Sequence, residues 1–342
     1  MATTLQMIVA NSTADVLPAD GEEYTSELAE IDKYFWIFFS PIFLIFGVVG
    51  NILNILVLIR MKFYKNATLL LLFCLAWTDM VVLIVGLPRY WLTNTFDFDL
   101  RTVSQFSCKF SLFLIYFSMQ LSSWILVLVT LIRFVKTVFS LKYSSSKGFV
   151  NMRKTIIAFC IIAIILICIN FHLFITNGIN SDGDCSSLTE EYLEFDEKVF
   201  VFIDFAFLSL IPAIIMIVCN VFIFLKIREL ASPVRRMSIG QMNPNKVQKK
   251  TISKVTMMIV ITSVYFIIAT VPISIYFIVD SYVRPGASAK VEAQLDLAWT
   301  ITYLFEYSQF TLNFYLWFGR SESYDPANTS EMNHKPSATL ST

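Results

Sequence analysis

Residues 69–92 read LLLLFCLAWTDMVVLIVGLPRYWL. The stretch holds one acid, Asp79, and one base, Arg89. A helix rises about 1.5 Å per residue, so about 20 mostly apolar residues cross about 30 Å of hydrocarbon. The run is continuous rather than alternating. In lipid only helices and closed barrels satisfy every backbone hydrogen bond, so this stretch predicts a membrane-spanning helix. Comparable stretches occur at 34–60, 105–138, 154–176, 198–228, 252–281 and 295–318. Of the 342 residues, 56% are hydrophobic and 15% charged, against about 45–50% and about 25% in a soluble domain. The expected fold is an all-α membrane protein, a seven-transmembrane helix bundle over 34–318, with a tail at 1–33 and another at 319–342.

Loop charge predicts orientation. Residues 1–33 carry seven acids against one base, Lys33, and 177–198 holds Asp182, Asp184, Glu190, Glu191, Glu194, Asp196 and Glu197. Bases gather after the first span (Arg60, Lys62, Lys65), the third (Lys136, Lys142, Lys147) and the fifth (Arg235, Arg236, Lys246, Lys249, Lys250). Basic loops stay on the cytoplasmic side, which predicts a multi-pass plasma-membrane protein with its N-terminus outside. No basic start followed by an apolar run precedes Tyr34, so the first span is expected to act as the targeting signal. Asn11-Ser12-Thr13 is then a usable glycosylation site at Asn11. The sequons at Asn66 and Asn328 fall inside and are discounted. The polar tail after 319 is expected to be disordered.

Ionisable residues at bilayer depth are costly and are functional by default. Asp79, Asp204, Glu306 and Arg133 are the main ones, with Asn51, Gln120, Ser122, Asn220, Thr270, Gln309 and Asn313 beside them. A serine or threonine here more often bonds back to its own helix. Pro41, Pro88, Pro212 and Pro272 lie within spans and are expected to kink them. Cys108 opens the third span at the outer face and Cys185 lies in the acidic loop. An oxidising exterior predicts a disulfide between them.

In order along the chain, these residues resemble the rhodopsin-like family of G-protein-coupled receptors. The resemblance rests on Gly50-Asn51, Leu75-Ala76-Trp77-Thr78-Asp79 with Pro88, Cys108 lying 25 residues before Arg133, Ser122, Pro212, Phe266 six before Pro272, and Asn313. It implies a sodium or polar core at Asp79, Ser122, Asn313 and Asn51, and G-protein coupling through Arg133 and Asn220. It also implies an activation switch at Phe266, Thr270, Pro272 and Trp317, and a short amphipathic eighth helix near Tyr324. The sequence departs from the family pattern at Ile132-Arg133-Phe134, where the acid is missing, at Ala269-Thr270-Val271-Pro272, where the tryptophan is missing, and at Asn313-Phe314. Asn313-Phe314 and Arg133-Phe134-Val135-Lys136 look similar to invertebrate neuropeptide receptors of the FMRFamide-like kind.

Retinal needs a seventh-span lysine, and that position is Tyr307; an amine receptor's aspartate position is Ile115. The ligand-binding set is read as Asp204, Glu306, Tyr303 and Ile115, and the interior acids favour a cationic peptide, with an amidated Arg-Phe end as one form. The alternative is that the acids only solvate the outer face. The implied partners are an extracellular peptide, a heterotrimeric G protein, arrestin and the lipid bilayer, with no nucleic acid. Ser238, after Arg235-Arg236-Met237, resembles a basophilic kinase site. A decoy or scaffold receptor without G-protein output is a second reading, and an ion transporter a third. The two histidines and the absence of metal-ligand spacing or a nucleophile motif argue against an enzyme, and no cofactor is expected beyond the sodium ion.

Overall fold

The computed structural model describes residues 19–139, 151–231 and 254–318. Asn11, Ser238, Tyr324 and the third basic loop lie outside these residues. Seven long helical segments follow one another: α1 (Ala19–Arg60), α2 (Ala67–Phe96), α3 (Gln105–Val138), α4 (Met152–Asn170), a fifth segment ending in α5 (Ile211–Ala231), α6 (Lys254–Val283) and α7 (Ala289–Phe318). Six are long and apolar enough to cross a membrane. The seventh, α7, is less apolar because Glu306, Gln309 and Asn313 replace aliphatic residues in its central turns. Together they make a seven-transmembrane bundle.

Two boundaries differ from those expected. The helix of α1 begins at Ala19, not Tyr34, so half of the expected tail is helical. Tyr24 meets α7 there: it accepts from Gln294 Nε2 at 3.2 Å, and Lys290 Nζ lies 4.6 Å from its ring. The fifth segment begins at Glu190, so most acids of the expected loop form helical turns. Thr189 caps it, accepting from the Tyr192 N–H, and Glu190 and Glu191 in the first turn complement the helix dipole.

Between α4 and the fifth segment runs a hairpin, β1 (Asn177–Ile179) against β2 (Cys185–Ser187), antiparallel with Ile179 opposite Cys185. Gly183, at φ +88°, makes its turn. The Cys108–Cys185 disulfide, Cα–Cα 5.5 Å, fastens β2 to the first turns of α3. Gln105 adds a two-way clasp, donating to the Ile179 carbonyl at 3.1 Å and accepting from its N–H at 3.0 Å.

The fifth segment is irregular near its proline. π turns span Asp196–Phe200 and Phe205–Leu210, just before Pro212. A π turn aims each N–H at the carbonyl five residues back, and Pro212 has no N–H for Phe207. The indole of Trp124 on α3 donates to that carbonyl at 3.0 Å instead. The distortion at Pro212 therefore takes the form of π turns with a cross-helix bond.

Apolar packing falls into two clusters. One contains Leu71, Leu75, Ile125, Val129, Ile132, Met216 and Phe266. The other, nearer the disulfide, contains Trp36, Leu83, Leu87, Tyr90, Tyr307 and Phe310. Large apolar side chains such as Phe38, Ile45, Ile164, Phe222 and Phe224 point outward, as lipid contact requires. Gly47 lets α1 approach α7 and α2, because a Cβ there would strike Leu83 and Thr311.

The disulfide closes a loop of sequence separation 77, and removing such a cross-link costs about 2–5 kcal/mol. Cys185→Ala is expected to lower the thermal midpoint of the detergent-solubilised protein. An unchanged midpoint would mean that the Gln105 clasp holds the hairpin alone.

Candidate functional site

At the disulfide end a narrow cavity opens between α2, α3 and α7, lined by Gly86, Arg89, Arg101, Ile115, Tyr303 and Tyr307 among others. Of the residues read from the sequence as a ligand-binding set, Ile115 and Tyr303 line it. Asp204 and Glu306 do not line this cavity. Aromatic rings form its floor and α1 side: Trp36 stacks on Tyr90 at 4.2 Å, Tyr90 meets Tyr303 at 5.7 Å, and Tyr303 meets Tyr307 at 4.9 Å. The Trp36 indole donates to Thr300 Oγ1 at 2.8 Å, fixing α1 to α7.

The two arginines were not anticipated as site residues. Arg89 lies in α2 one residue after Pro88, and Arg101 in a short turn, Leu100–Val103, before α3. Arg101 donates to both oxygens of Asp99, the shortest at 2.6 Å, and Arg89 Nε lies 3.7 Å from Asp99 Oδ2. Burial pushes the Asp99 carboxyl up, but the bonds and charge of Arg101 and the charge of Arg89 outweigh it, holding the group below the ordinary carboxylate range. The sequence signal was present: Arg89 and Arg101 are bases at an end otherwise rich in acids.

Asp204 is buried deeper, in a chain of amides. Asn170 Nδ2 on α4 donates to Gln120 Oε1 at 2.7 Å, and Gln120 Nε2 on α3 donates to Asp204 Oδ1 at 2.8 Å. Asp204 Oδ1 thus takes its bond from Gln120. Glu306 is 1% exposed, and its Oε1 has no hydrogen-bond partner. Gln309, one turn on, has neither side-chain atom paired.

A polar centre joins α2, α3 and α7. Ser122 Oγ donates to Asp79 Oδ1 and Asn313 Nδ2 to Asp79 Oδ2, each at 2.6 Å. All three residues are buried. Asn51 donates to the carbonyls of Gly47 and Phe310 at 2.9 and 3.0 Å, tying α1 to α7 one turn before Asn313. The Oδ1 atoms of Asn51 and Asn313 remain without partners.

Toward the opposite end, Ile132 is buried in the apolar cluster. The position of the missing acid is thus an apolar contact, not a gap beside Arg133. Arg133 Nε and both side-chain atoms of Asn220 have no hydrogen-bond partner among the described residues. Phe266 is buried, and Thr270 donates to its carbonyl within α6. Trp317 lies in α7. Two hydroxyl contacts tie α6 to its neighbours: Thr130 Oγ1 to Ser263 Oγ at 3.2 Å across to α3, and Tyr265 to Ser308 at 2.6 Å across to α7. Thr130 and Ser263 also bond carbonyls of their own helices, Leu126 and Ile259. Each hydroxyl has one proton, so the bond between helices forms only when one of them releases its own carbonyl.

The comparisons with known proteins agree with this arrangement. Residues 50–314 match the family described as 7 transmembrane receptor (rhodopsin family). The chain is also similar to a Caenorhabditis elegans protein, the candidate G-protein-coupled receptor F59B2.13, with 25% identity over 269 residues. That alignment takes in 71% of this chain and 62% of the relative, so the chain spans a little under two thirds of the relative's length. With a match covering well over half of its length, and a disulfide, polar centre and helix order that fit, the chain belongs to the rhodopsin family of seven-transmembrane receptors.

Proposed function

We propose that this protein is a plasma-membrane receptor with its disulfide end and N-terminus outside, that it binds a peptide of neuropeptide type, and that it activates a heterotrimeric G protein. The observation that carries the reading is the order of buried polar groups along the bundle. The cavity lies at the disulfide end, the Asp79–Ser122–Asn313 centre joins three helices, and Arg133 and the Thr130–Ser263 contact lie nearer the basic loops. A ligand that binds one helix arrangement better than another shifts the population toward it. Movement of α6 away from α3 would break the hydroxyl contact and open the end that carries Arg133. Basic peptide residues would meet the acids at the start of the fifth segment. Glycosylation at Asn11, phosphorylation at Ser238 and arrestin binding belong to the same reading.

Cells expressing the full chain, stimulated with a peptide library, should answer in calcium or cyclic-AMP readouts. Arg133→Ala should abolish the response at equal surface expression. A response retained by Arg133→Ala would remove the coupling role assigned to it. Arrestin recruitment with no G-protein signal from the wild type would favour the decoy or scaffold reading.

The Thr130–Ser263 contact supplies a restraint between α3 and α6 that needs no acid. A neutral hydrogen bond contributes about 1 kcal/mol, and this one less because a local carbonyl bond is released to form it, so Thr130→Val should raise basal signalling by up to about fivefold. Basal signalling that stays level or falls would show that α6 is restrained elsewhere.

The polar centre fits the sodium ion that the resemblance implies. Its donors are all oxygen: the Asp79 carboxylate, Ser122 Oγ, and the unpaired Oδ1 atoms of Asn313 and Asn51. Hard cations prefer such sets. Replacing potassium chloride by sodium chloride at constant ionic strength should raise the thermal midpoint of the wild type but not of Asp79→Asn. Equal midpoints in both salts for the wild type would leave the cluster as a hydrogen-bond network alone.

A further inference from the structure

We propose that the cavity at the disulfide end recognises a carboxylate, held by Arg89 and Arg101, and that its natural source is the free C-terminus of a peptide ligand. The inference rests on the receptor reading above and names the chemistry of its ligand.

The argument begins with a charge imbalance. The side chains of Arg89 and Arg101 are 16% and 6% exposed. Asp99 is the single described carboxylate that acts on either of them. Guanidinium groups stay protonated in proteins. Two cations and one anion therefore leave one uncompensated positive charge in a largely buried place. Buried charges are ordinarily paired.

Both arginines line the same space. Arg101 spends its backbone N–H, Nε and Nη2 on Asp99. Among the described residues its Nη1 donates to nothing, and Arg89 meets Asp99, the Tyr90 hydroxyl at 3.4 Å and the face of the Tyr90 ring, 4.6 Å from its guanidinium carbon. Tyr307 also lines the cavity, with its buried hydroxyl packed where a Cβ on Gly86 would stand. Planar guanidinium forks match a carboxylate in two-point contact. The cavity is small, about 30 Å³, the size of a single polar group such as a carboxylate, and Tyr90, Tyr303, Leu112 and Ile115 share its lining with the arginines.

A second cluster at the same end has the reverse imbalance. Arg284 Nε meets Asp280 at 2.9 Å and its Nη2 meets Asp296 at 2.9 Å, one cation between two carboxylates. The α2–α3 side of this end is positive and the α6–α7 side negative. A peptide with a basic body and a free carboxylate end complements both sides, whereas an amidated end would leave Arg89 and Arg101 uncompensated.

The test uses the full chain purified into nanodiscs and three probes at about 10 mM: N-acetylphenylalanine, its C-terminal amide, and 3-phenylpropanoate. A bound probe raises the thermal midpoint according to its concentration relative to Kd. The acid should raise the midpoint and the amide should not. Arg89→Gln should weaken the acid about tenfold or more. Asp99→Asn, which frees Arg101, should strengthen it, a response that a merely structural role for Asp99 would not give. Arg101→Gln removes the anchor of the Asp99 turn and is expected to fold poorly, so Arg89→Gln carries the test. Stronger binding of N-acetylphenylalanine than of 3-phenylpropanoate assigns the carboxylate to a peptide terminus, and the reverse order assigns it to a small organic acid. Equal shifts from acid and amide, no shift from any probe, or an acid shift that survives Arg89→Gln would overturn the proposal. Binding is read without signalling. A chain that answers peptides through Arg133 but ignores these acids loses the carboxylate assignment alone, and one that binds acids but never signals loses the receptor reading alone.

Discussion

Hydrocarbon offers no hydrogen-bond partner, so a polar group buried in this bundle is costly unless another helix or its own backbone meets it. Asp79 shows how much follows. Its carboxylate is fully buried, and one oxygen is met from α3 by Ser122 and the other from α7 by Asn313. Three helices are thereby fixed in rotation as well as position, which apolar contact alone does not do because it is non-directional. Asn51 ties in α1 through the Phe310 carbonyl, and Trp36 repeats the link through Thr300 nearer the disulfide. Asn170, Gln120 and Asp204 connect α4, α3 and the fifth segment in the same way.

Backbone groups obey the same constraint. Pro212 leaves the Phe207 carbonyl without its donor, and the Trp124 indole supplies one. The π turns before Pro212 shift the side chains that follow by a fraction of a turn. Asp204 ends the short α-helical stretch immediately before one of those turns. Its direction toward Gln120 thus depends on a backbone irregularity that a regular helix would not reproduce.

Much of this was legible in the sequence, and the exceptions share a cause. Hydropathy detects where a helix meets lipid, not where it starts. It located the spans but began the first at Tyr34 and the fifth at Lys198, although helix extends back to Ala19 and Glu190. The cysteine pair was readable because only Cys108 and Cys185 lie outside the middles of the spans. Asp204 and Glu306 were readable as interior groups, since nothing at bilayer depth excuses a carboxylate. Which neighbour each meets was not, because that depends on helix rotation and, for Asp204, on the π turns. Arg89 and Arg101 were hidden differently. A base near the end of a span looks like a solvated loop charge, and only the turn at Leu100–Val103 brings them to one aspartate.

The region around Arg133 turns on the same physics with the opposite outcome. An acid at position 132 would have supplied a charge-assisted bond, with a contribution of about 1.5–3 kcal/mol. Ile132 instead fills the apolar cluster, so an acid could not be restored there without burying it among Leu75, Ile125 and Val129. The contact that does span α3 and α6 is between two hydroxyls, each also bonded to its own helix. Such a contact contributes about 0.5–1.5 kcal/mol at most, and less when a local carbonyl bond must be released to form it. The difference between the two kinds of restraint is about 1–1.5 kcal/mol, or about a tenfold change in the balance of two arrangements. With Ile132 packed in the apolar cluster and a hydroxyl contact between α3 and α6, the described residues hold these two helices by the weaker of the two kinds of restraint.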